Sequence, residues 1–172
     1  MGLTISADLN YRPSLWNYGK KASEIMPDLV KYCDVLLGGV EDSEKCLNVK
    51  LSSSDNKEII FRKWMEAFPK LTTIVSTARY DANASSNGIS AVLWNGKEMF
   101  ESKSYNMSHI KDRIVAGDAF MAGIIYGMIQ WPNDSQAALE FATAASCLKH
   151  SIVGDINLAN VIEIKALIDG AT

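Results

Sequence analysis

The chain contains 172 residues, of which 48% are hydrophobic and 22% charged, and its formal net charge is −3. This composition is typical of a folded globular protein and argues against an intrinsically disordered chain. Residues 119–129 form the longest nearly unbroken apolar run, which is well short of the roughly 20 residues that span a bilayer. The negative net charge offers no general basic surface for a nucleic acid backbone. We therefore expect small-molecule partners, with no nucleic acid and no membrane.

The first residues and the cysteines indicate a reducing compartment. No basic segment precedes the early acidic residue Asp8, so the N-terminus does not resemble a signal peptide. The cysteines at positions 33, 46 and 147 are odd in number and widely spaced, which fits neither a disulfide framework nor a zinc site. We expect buried thiols in the cytoplasm. The two histidines, His109 and His150, are too few for a multi-histidine metal site and are expected at the surface.

In the first half of the chain the predicted elements alternate between strands and helices. In chain order they are a strand over 3–9, a helix over 20–32, a strand over 34–37, a short acidic helix over 41–47, a helix over 56–68 and a strand over 72–76. Pro13 favours an extended Arg12 after the first strand. Pro27 would cost about 3 kcal/mol inside a helix, so we expect two short helical pieces or a kink there. The polar linker 52–55 offers an N-cap for the helix that follows it.

The second half contains a predicted hairpin followed by three helices. Asn95 and Gly96 separate extended stretches over 89–94 and 98–105, and this dipeptide is a strong hairpin signal. The helices are predicted over 119–130, 135–149 and 160–168. Strands that alternate with helices indicate a layered α/β architecture with about four mainly parallel strands, to which the hairpin adds antiparallel ones.

The clearest chemical signal lies in residues 112–123. The chain has no GxxxxGK[ST] motif and no GxGxxG after a strand, which excludes the commonest phosphate-binding loops. Instead, a turn of small residues opens an apolar helix, and its backbone amides would face outward at the positive end of the helix dipole. Such a turn can hold a transferring phosphoryl group while Asp118 accepts a proton from the attacking hydroxyl. An ordinary capped helix is the alternative, because acidic residues are common in first turns.

Four stretches of the chain resemble the PfkB carbohydrate kinases. Residues 112–124 are similar to the family's C-terminal signature, in which a G-A-G-D turn leads into a helix. Residues 8–16 resemble the D-x-N-x-R-x-x-L-W stretch of the 2-keto-3-deoxygluconate kinase and fructokinase branch. Residues 88–94 and 148–157 resemble further stretches of the 2-keto-3-deoxygluconate kinases. The four stretches occur in the family's order along nearly the whole chain, and together they are specific.

The resemblance implies a layered α/β/α, Rossmann-like fold of the ribokinase-like type. It covers only the C-terminal half of a family member, so residues 1–172 are expected to form the nucleotide-binding and catalytic-base portion of the domain. The family's N-terminal half, which supplies most of the sugar pocket and a small lid, is absent from this chain. One sheet edge should then be uncovered or paired with another chain. We expect a homo-oligomer or pairing with the missing half.

The resemblance also implies roles for individual residues. Asp118 matches the family's catalytic base, and Ala116 and Gly117 match its anion hole. Five further residues match substrate-binding or nucleotide-binding positions: Asn10, Arg12, Thr77, Arg79 and Asn157. A guanidinium suits such positions because its fork pairs bidentately with carboxylate or phosphate. The implied cofactors are ATP and Mg²⁺.

The chain departs from the family's pattern at two positions. The magnesium-associated N-x-x-E pattern falls on residues 39–42, so Gly39 replaces the asparagine and Asp42 replaces the acid, with at most an indirect metal role. Val115 stands where the family usually has glycine, and unusual backbone dihedrals are costly for a β-branched residue. Both departures weaken the interpretation as an active enzyme. The GxxxG spacing of Gly123 and Gly127 indicates close helix packing.

Three functional interpretations follow. The leading one is ATP-dependent phosphorylation of a sugar or sugar-acid hydroxyl, with 2-keto-3-deoxygluconate as the expected substrate, and whether this half alone turns over is left open. The alternative is a catalytically silent, nucleotide-binding or oligomerising remnant of such a kinase. The third is a generic α/β domain with coincidental motifs. Turnover of a sugar acid with ATP favours the first, and nucleotide binding without turnover favours the second.

Overall fold

The computed structural model describes residues 2–83, 86–107 and 110–170. The strands are β1 (Ser6–Asp8), β2 (Val35–Leu37), β3 (Thr73–Asn83), β4 (Ser86–Trp94), β5 (Met99–Glu101) and β6 (Tyr105–Met107). The helices are α1 (Ala22–Val30), α2 (Asp42–Lys45), α3 (Lys57–Ala67), α4 (Ala116–Gln130), α5 (Ser135–Lys149) and α6 (Val161–Ile168), and a 3-10 turn spans Pro13–Leu15.

The strands form one sheet in the order β1-β2-β3-β4-β5, and β6 pairs with β4. The first three strands are parallel, with Ser6 opposite Val35 and Val35 opposite Thr73. Strands β4 and β6 are antiparallel, with Gly88 opposite Asn106. Helical segments connect the parallel strands, as parallel pairing requires, and β2 is buried along its whole length. The α/β architecture expected from the sequence is confirmed.

The chain divides into two compact units, and the first consists of Met1–Ser76 with Leu93–Met99. Its core is built from apolar side chains of the parallel strands and of α3. Trp64 of α3 is fully buried, and its indole N–H donates to the hydroxyl of Ser43 at 2.9 Å. Aromatic side chains bury large apolar areas, and a buried indole needs such a partner for its N–H. The hydrogen bond therefore fixes α3 against the segment after β2.

The second unit consists of Thr77–Val92 with Phe100–Thr172, and its centre is the antiparallel pair α4 and α5. A Cβ atom placed on Gly123 would lie 2.6 Å from the Cα of Ala142, and one on Gly127 would lie 2.6 Å from the Cα of Ala138. The two helix backbones therefore touch along a stripe of small residues. The expectation that this GxxxG spacing reflects helix packing is confirmed.

The hairpin predicted at Asn95 and Gly96 is present. The Asn95 side-chain oxygen accepts from the amides of Lys97 and Glu98 at 2.9 Å each, and Gly96 adopts a φ of 88°. Glycine enters this left-handed region at little cost, which explains its place in the turn. The extended stretch predicted over 98–105 is divided into β5 and the start of β6, because residues 102–104 between them belong to no strand, and both strands pair with β4.

Of the two outcomes expected at Pro27, the division of the first helix into two pieces is wrong, and the kink stays a prediction. Helix α1 continues through Pro27 from Ala22 to Val30. Both end residues are buried, so packing at the two ends holds the helix although one hydrogen bond is missing in its middle. A capping box at its start, in which Glu24 accepts from the amide of Lys21 at 2.7 Å, adds to this.

The N-cap of α3 lies one residue beyond the linker 52–55 in which it was expected. The Asn56 side chain accepts from the amide of Ile59 at 2.9 Å. Asp55 instead pairs with Lys63 at 2.5 Å, so its carboxylate does not cap the first amides of α3. Asparagine and aspartate cap helices about equally well, so the sequence alone does not show which of Asp55 and Asn56 is the N-cap.

Strand β1 lies at one end of the sheet, and β2 is its only neighbour among the described residues. Leu3 and Ile5, which both lie just before β1, are 88% and 40% exposed. An edge with adjacent exposed apolar side chains is a surface on which further strands or chains can pair. No described helix has the length and apolar character needed to cross a membrane.

Candidate functional site

The predicted anion-binding turn lies at the start of α4 in the second unit. Val115 is the N-cap residue and makes no side-chain capping bond, so the first amides of this 15-residue helix are not covered by their own cap. Ala116 is buried in the first turn, whereas the side chain of Asp118 is exposed. The turn therefore combines open helix amides with an accessible carboxylate. This is the arrangement that a proton transfer beside an anionic group requires.

Val115 is strained. Its φ of 63° and ψ of 14° lie in the left-handed region, which is disfavoured for a β-branched residue. Such a conformation persists only where the surroundings impose it, and it costs about 1–3 kcal/mol. The suspicion raised by the sequence, that a valine stands where unusual dihedrals are needed, is confirmed by this backbone conformation.

Replacing Val115 with glycine is expected to stabilise the protein by about 1 kcal/mol, because relief of the strain exceeds the entropy that glycine adds to the unfolded chain. Urea unfolding of the variant measures this change. Val153→Gly is the matched control, since Val153 is exposed and is not among the residues with positive φ. The control should be neutral or destabilising. Equal effects of the two substitutions would show that Val115 is not strained.

The loop before α4 is attached to the loop after α5 through Asp112. One oxygen of its carboxylate accepts from the amide of Ile114 at 2.9 Å, and the other accepts from the amide of Gly154 at 2.9 Å. The carbonyl oxygen of His150 accepts from the amides of Lys111 and Asp112 at 2.8 and 3.2 Å. The hydrogen bonds from Ile114 and Gly154 lower the pKa of Asp112. The carboxylate therefore stays charged and joins the two loops.

His150 is buried, with an exposed fraction of 2%, so the expectation of a surface position is wrong for this histidine, and His109 lies outside the described residues. Its Nδ1 lies 2.7 Å from the carbonyl oxygen of Ser146, which can only accept, so Nδ1 carries a proton. Its Nε2 is buried and has no partner among the described residues. Burial lowers the pKa of His150, the hydrogen bond to Ser146 opposes this, and the positive charges of Arg79, Arg113 and Lys149 lower it further.

Stability should therefore fall at acidic pH because of His150. Its pKa in the folded chain lies below the value of about 6.5 expected for the unfolded chain, so the unfolded state binds the proton more tightly. The stabilisation is complete above that unfolded pKa and is lost as the pH falls through the folded pKa. Urea midpoints measured between pH 8 and 5.5 should decline for the wild type and decline less for His150→Gln. Parallel curves would contradict the expectation, and His109→Gln is the control.

Three cationic side chains lie near enough to His150 to lower its pKa. Desolvation by the surrounding protein, and then the charge of Arg113, lower the pKa of Arg79. Arg79 and Arg113 in turn lower the pKa of His150, and Lys149 acts in the same direction. Arg79 and Arg113 are exposed, so their like charges can attract a phosphate-bearing anion, whereas Lys149 is fully buried. Arg113 and Lys149 were not singled out from the sequence, although both lie inside stretches that carried the family resemblance.

The remaining site predictions in the second unit concern β3 and the loop before α6. Thr77 and Arg79 are exposed and two residues apart on β3, so they share one face of the strand. Asn157 is partly buried, and its side-chain oxygen accepts from the amide of Ala159 at 3.1 Å. Asn157 therefore shapes its own loop, and its predicted role toward the nucleotide base stays a prediction.

Asn10 and Arg12 lie in the first unit, on the loop that follows β1. Asn10 has a φ of 40°, and its amide donates to the carboxylate of Asp8 at 2.9 Å. Arg12 is extended, as Pro13 predicts, and its guanidinium is exposed and reaches the carbonyl oxygen of Tyr11 at 3.4 Å. This distance is long for a hydrogen bond, so the Arg12 side chain is available to an outside anion.

Gly39 and Asp42 follow β2, which is the parallel neighbour of β1. The amide of Gly39 donates to the Asp42 carboxylate at 2.8 Å, and the Cys46 thiol lies 3.7 Å from the other carboxylate oxygen. Burial raises the pKa of Asp42, while the bond from Gly39 opposes this shift. Burial also raises the pKa of Cys46 to about 12, so its thiol keeps its proton. The carboxylate is thus engaged in the turn, and its indirect metal role stays a prediction.

The residues at this turn do not form a magnesium site of their own. A Cβ atom on Gly39 would lie 2.5 Å from the carboxylate atoms of Glu41, which occupies the space beside the glycine. Within the described ranges 2–83, 86–107 and 110–170, no three metal-ligating side chains are grouped for a metal ion. Magnesium prefers several oxygen ligands and retains its waters, and of the two carboxylates at this turn that of Asp42 is already engaged by the amide of Gly39.

A groove that the sequence did not predict lies beside the Arg12 loop in the first unit. Its volume is about 370 Å³, and it is lined by Tyr11, Pro13, Trp16, Lys21, Ala22, Ser23, Glu44 and Lys45. Aromatic rings and two lysines together suit a polar anionic ligand. Its lining comes from residues 11–23 and from Glu44 and Lys45, about twenty residues further along the chain, and no single motif could have revealed it.

The comparisons with known proteins agree on one family. The pfkB family carbohydrate kinase profile matches residues 3–160. The 2-dehydro-3-deoxygluconokinase structure from Thermotoga maritima is similar to this chain at 36% identity and a TM-score of 0.84, and the match covers 98% of this chain and 51% of that one. A PfkB family carbohydrate kinase structure from Listeria grayi is similar at 29% identity and a TM-score of 0.82, with 99% and 50% covered.

The 5-dehydro-2-deoxygluconokinase of Geobacillus thermodenitrificans is 25% identical over 148 residues, which are 86% of this chain and 40% of that protein. A ribokinase structure from Thermotoga maritima, at 18% identity and a TM-score of 0.59, supports the ribokinase-like fold. The chain thus spans about half the length of these relatives or less. Because the family match covers residues 3–160, the chain belongs to the pfkB family of carbohydrate kinases.

Proposed function

We propose that residues 1–172 form the nucleotide-binding and catalytic-base portion of a kinase that transfers the γ-phosphoryl group of ATP to a hydroxyl of a keto-deoxy sugar acid. The observation that carries this proposal is the start of α4, where uncovered helix amides lie next to the exposed carboxylate of Asp118. The similarity to sugar-acid kinases supports the same chemistry.

In the proposed mechanism, Asp118 accepts the proton of the attacking hydroxyl as that oxygen bonds to the γ-phosphorus of ATP. The bond from this phosphorus to the β–γ bridging oxygen breaks at the same time, and ADP leaves. The amides of Ala116 and Gly117, at the positive end of the helix dipole, stabilise the charge on the transferring phosphoryl group. Arg79 and Arg113 add positive charge on the side of the ATP phosphates. Magnesium enters as part of the MgATP substrate, because the described residues provide no site for it alone.

The substrate class follows from the names of two relatives. One phosphorylates 2-dehydro-3-deoxygluconate and the other 5-dehydro-2-deoxygluconate, by their names. Both are gluconate derivatives with one keto and one deoxy carbon, and both keep the carboxylate. The exposed guanidinium of Arg12 is the group that we propose for that carboxylate. Between the two acids we favour 2-dehydro-3-deoxygluconate, also called 2-keto-3-deoxygluconate, because the relative with that name is the more similar.

We also propose that a second polypeptide segment pairs with the β1 edge. The exposed side chains of Leu3 and Ile5 adjoin this edge, and half of each relative has no counterpart here. The corresponding N-terminal half is the favoured partner, and a second copy of this chain is the alternative. Light scattering over a concentration series separates the two, because only the second predicts a dimer of the isolated chain.

A phosphoryl-transfer assay tests the proposed activity. The chain, alone and within a polypeptide that also supplies the N-terminal half, is incubated with MgATP and each of the two acids, with gluconate as the control. Turnover of a keto-deoxy acid and much slower turnover of gluconate are expected when both halves are present. No turnover with any acid would refute the proposal.

Nucleotide binding without turnover would instead favour a catalytically silent remnant. The strain at Val115 and the missing side chain at Gly39 are the observations behind this second candidate. Under the kinase proposal, calorimetry should show weak ATP binding that depends on magnesium. Tight binding with no magnesium dependence would contradict it.

A further inference from the structure

The last turn of α5 presents three buried polar residues on one face. Ser146, Lys149 and His150 are spaced as helical neighbours, and their exposed fractions are 1%, 0% and 2%. The hydroxyl of Ser146 donates to the carbonyl oxygen of Ala116 at 2.9 Å. The carbonyl of His150 accepts from two amides of the loop before α4. This face therefore contacts the segment that precedes and begins α4.

Lys149 is the unusual member of this set. Fully buried lysines are rare because an ammonium loses its hydration, and they occur where the charge is matched. Its Nζ donates to the carbonyl oxygen of Ile152 at 2.9 Å, which holds the loop after α5. The positive charge of Lys149 also contributes to the lowered pKa of Asp112, after the hydrogen bonds from Ile114 and Gly154. The geometry agrees with this, because Lys149 and Asp112 hydrogen-bond to the same loop, the first at Ile152 and the second at Gly154.

Lys149 and Asp112 both contribute to the contact between the loop 111–115 and the loop 150–154. Lys149 binds the loop 150–154 through Ile152, and Asp112 binds that loop through Gly154 at 2.9 Å. Asp112 also fixes its own loop through the amide of Ile114, one residue before the strained Val115. A left-handed valine persists only where its neighbours over-determine the backbone. The contact between the two loops therefore lies next to Val115, where the backbone needs such a constraint.

We propose that Lys149 is a positioning residue whose buried ammonium, with the Asp112 carboxylate, fixes the loop 111–115 against the loop 150–154. The pair thereby holds Val115 in its left-handed conformation and sets the direction of the amides at the start of α4. The consequence for ATP binding rests on the proposed function, whereas the consequence for the loops does not.

Amide hydrogen exchange tests the pair without any ligand. Lys149→Met removes the charged hydrogen bond to Ile152, so the loop contact should open more often and the amides of Ile114 and Gly154 should exchange about tenfold faster or more. The amide of Ile124, inside α4, is the internal reference and should not change. Lys111→Met, which removes an exposed lysine of the same loop, is the matched control and should leave all three amides unchanged.

Two outcomes would overturn the proposal. One is unchanged exchange at Ile114 and Gly154, and the other is equal acceleration at Ile124, which would mean a general loss of packing. Asp112→Asn is the second variant, for use where Lys149→Met does not fold, and the same local acceleration is expected. In the double variant the acceleration should be smaller than the product of the single effects, because both substitutions disrupt the same pair. Multiplicative effects would refute the pairing.

Calorimetry with ATP and with adenosine then tests the functional consequence. Lys149→Met should weaken MgATP binding by about tenfold while adenosine binding is retained, because the loop positions phosphate-binding amides. Equal weakening of both ligands would overturn the positioning role. Failure of the wild-type chain to bind MgATP would refute the proposed function and would leave the exchange result as the test of the pair.

Discussion

Replacing Asp118 with asparagine is expected to lower kcat about 10²–10⁴-fold in an intact kinase that contains this chain, which is the usual contribution of a general base. Nucleotide affinity should change little, because the substitution keeps the size of the side chain and the uncovered amides of the first turn. Steady-state kinetics with MgATP and the keto-deoxy acid, together with calorimetry for the nucleotide, measure the two effects separately.

The matched control for this experiment is Asp134→Asn. Asp134 caps α5 by accepting from the amide of Ala137 at 2.9 Å, and asparagine caps about as well as aspartate. The control therefore makes the same chemical change at another helix start and should leave kcat unchanged. Normal turnover of the Asp118 variant would show that this carboxylate is not the base, and the interpretation of the signature would fail.

Replacing Gly123 with alanine is expected to destabilise the chain by about 1–3 kcal/mol, the usual cost of overpacking. Two effects compete here. Alanine is the better helix former by about 1 kcal/mol. The added methyl group would lie 2.6 Å from the Cα of Ala142, however, and backbone cannot move aside as a flexible side chain can. The packing effect should prevail, and urea unfolding measures the net change.

Ala122→Gly separates the two effects. Ala122 is the exposed neighbour of Gly123 on α4, so its replacement reports helix propensity alone and should destabilise by about 1 kcal/mol. If propensity also governed position 123, Gly123→Ala would stabilise the protein. A stabilised Gly123 variant would therefore contradict the close contact between α4 and α5.

Most helices and strands could be predicted from the sequence because interactions between residues close in the sequence determine them. Helix α5 was predicted over 135–149 and has those bounds, since its apolar period is regular and Trp131 and Pro132 precede it. The Asn95 turn was predicted because asparagine and glycine supply its dihedrals without help from distant residues. Strand β3 is longer than predicted because residues 77–83 are mostly polar and resemble a loop, although they pair within the sheet.

The sequence predicted the candidate site only in the part that lies within one continuous motif. The turn at Val115 and the exposed Asp118 followed from one stretch of sequence. The burial of His150 and Lys149 did not, because it is produced when the loop 150–154 folds back on the end of α5. A charged residue and a histidine at the end of a helix normally reach solvent. Here the folded-back loop, which is held by the hydrogen bond between Gly154 and Asp112, keeps them from solvent.

The first unit is formed by two separate stretches of the chain, and this affects how the chain folds during synthesis. Residues 1–76 remain without the segment 93–99, and thus without the buried indole of Trp94, until translation reaches residue 99. At about 5–20 residues per second this interval lasts about 1–5 s. An incomplete core exposed for seconds attracts chaperones, so we expect them to associate with nascent chains that end between these two positions.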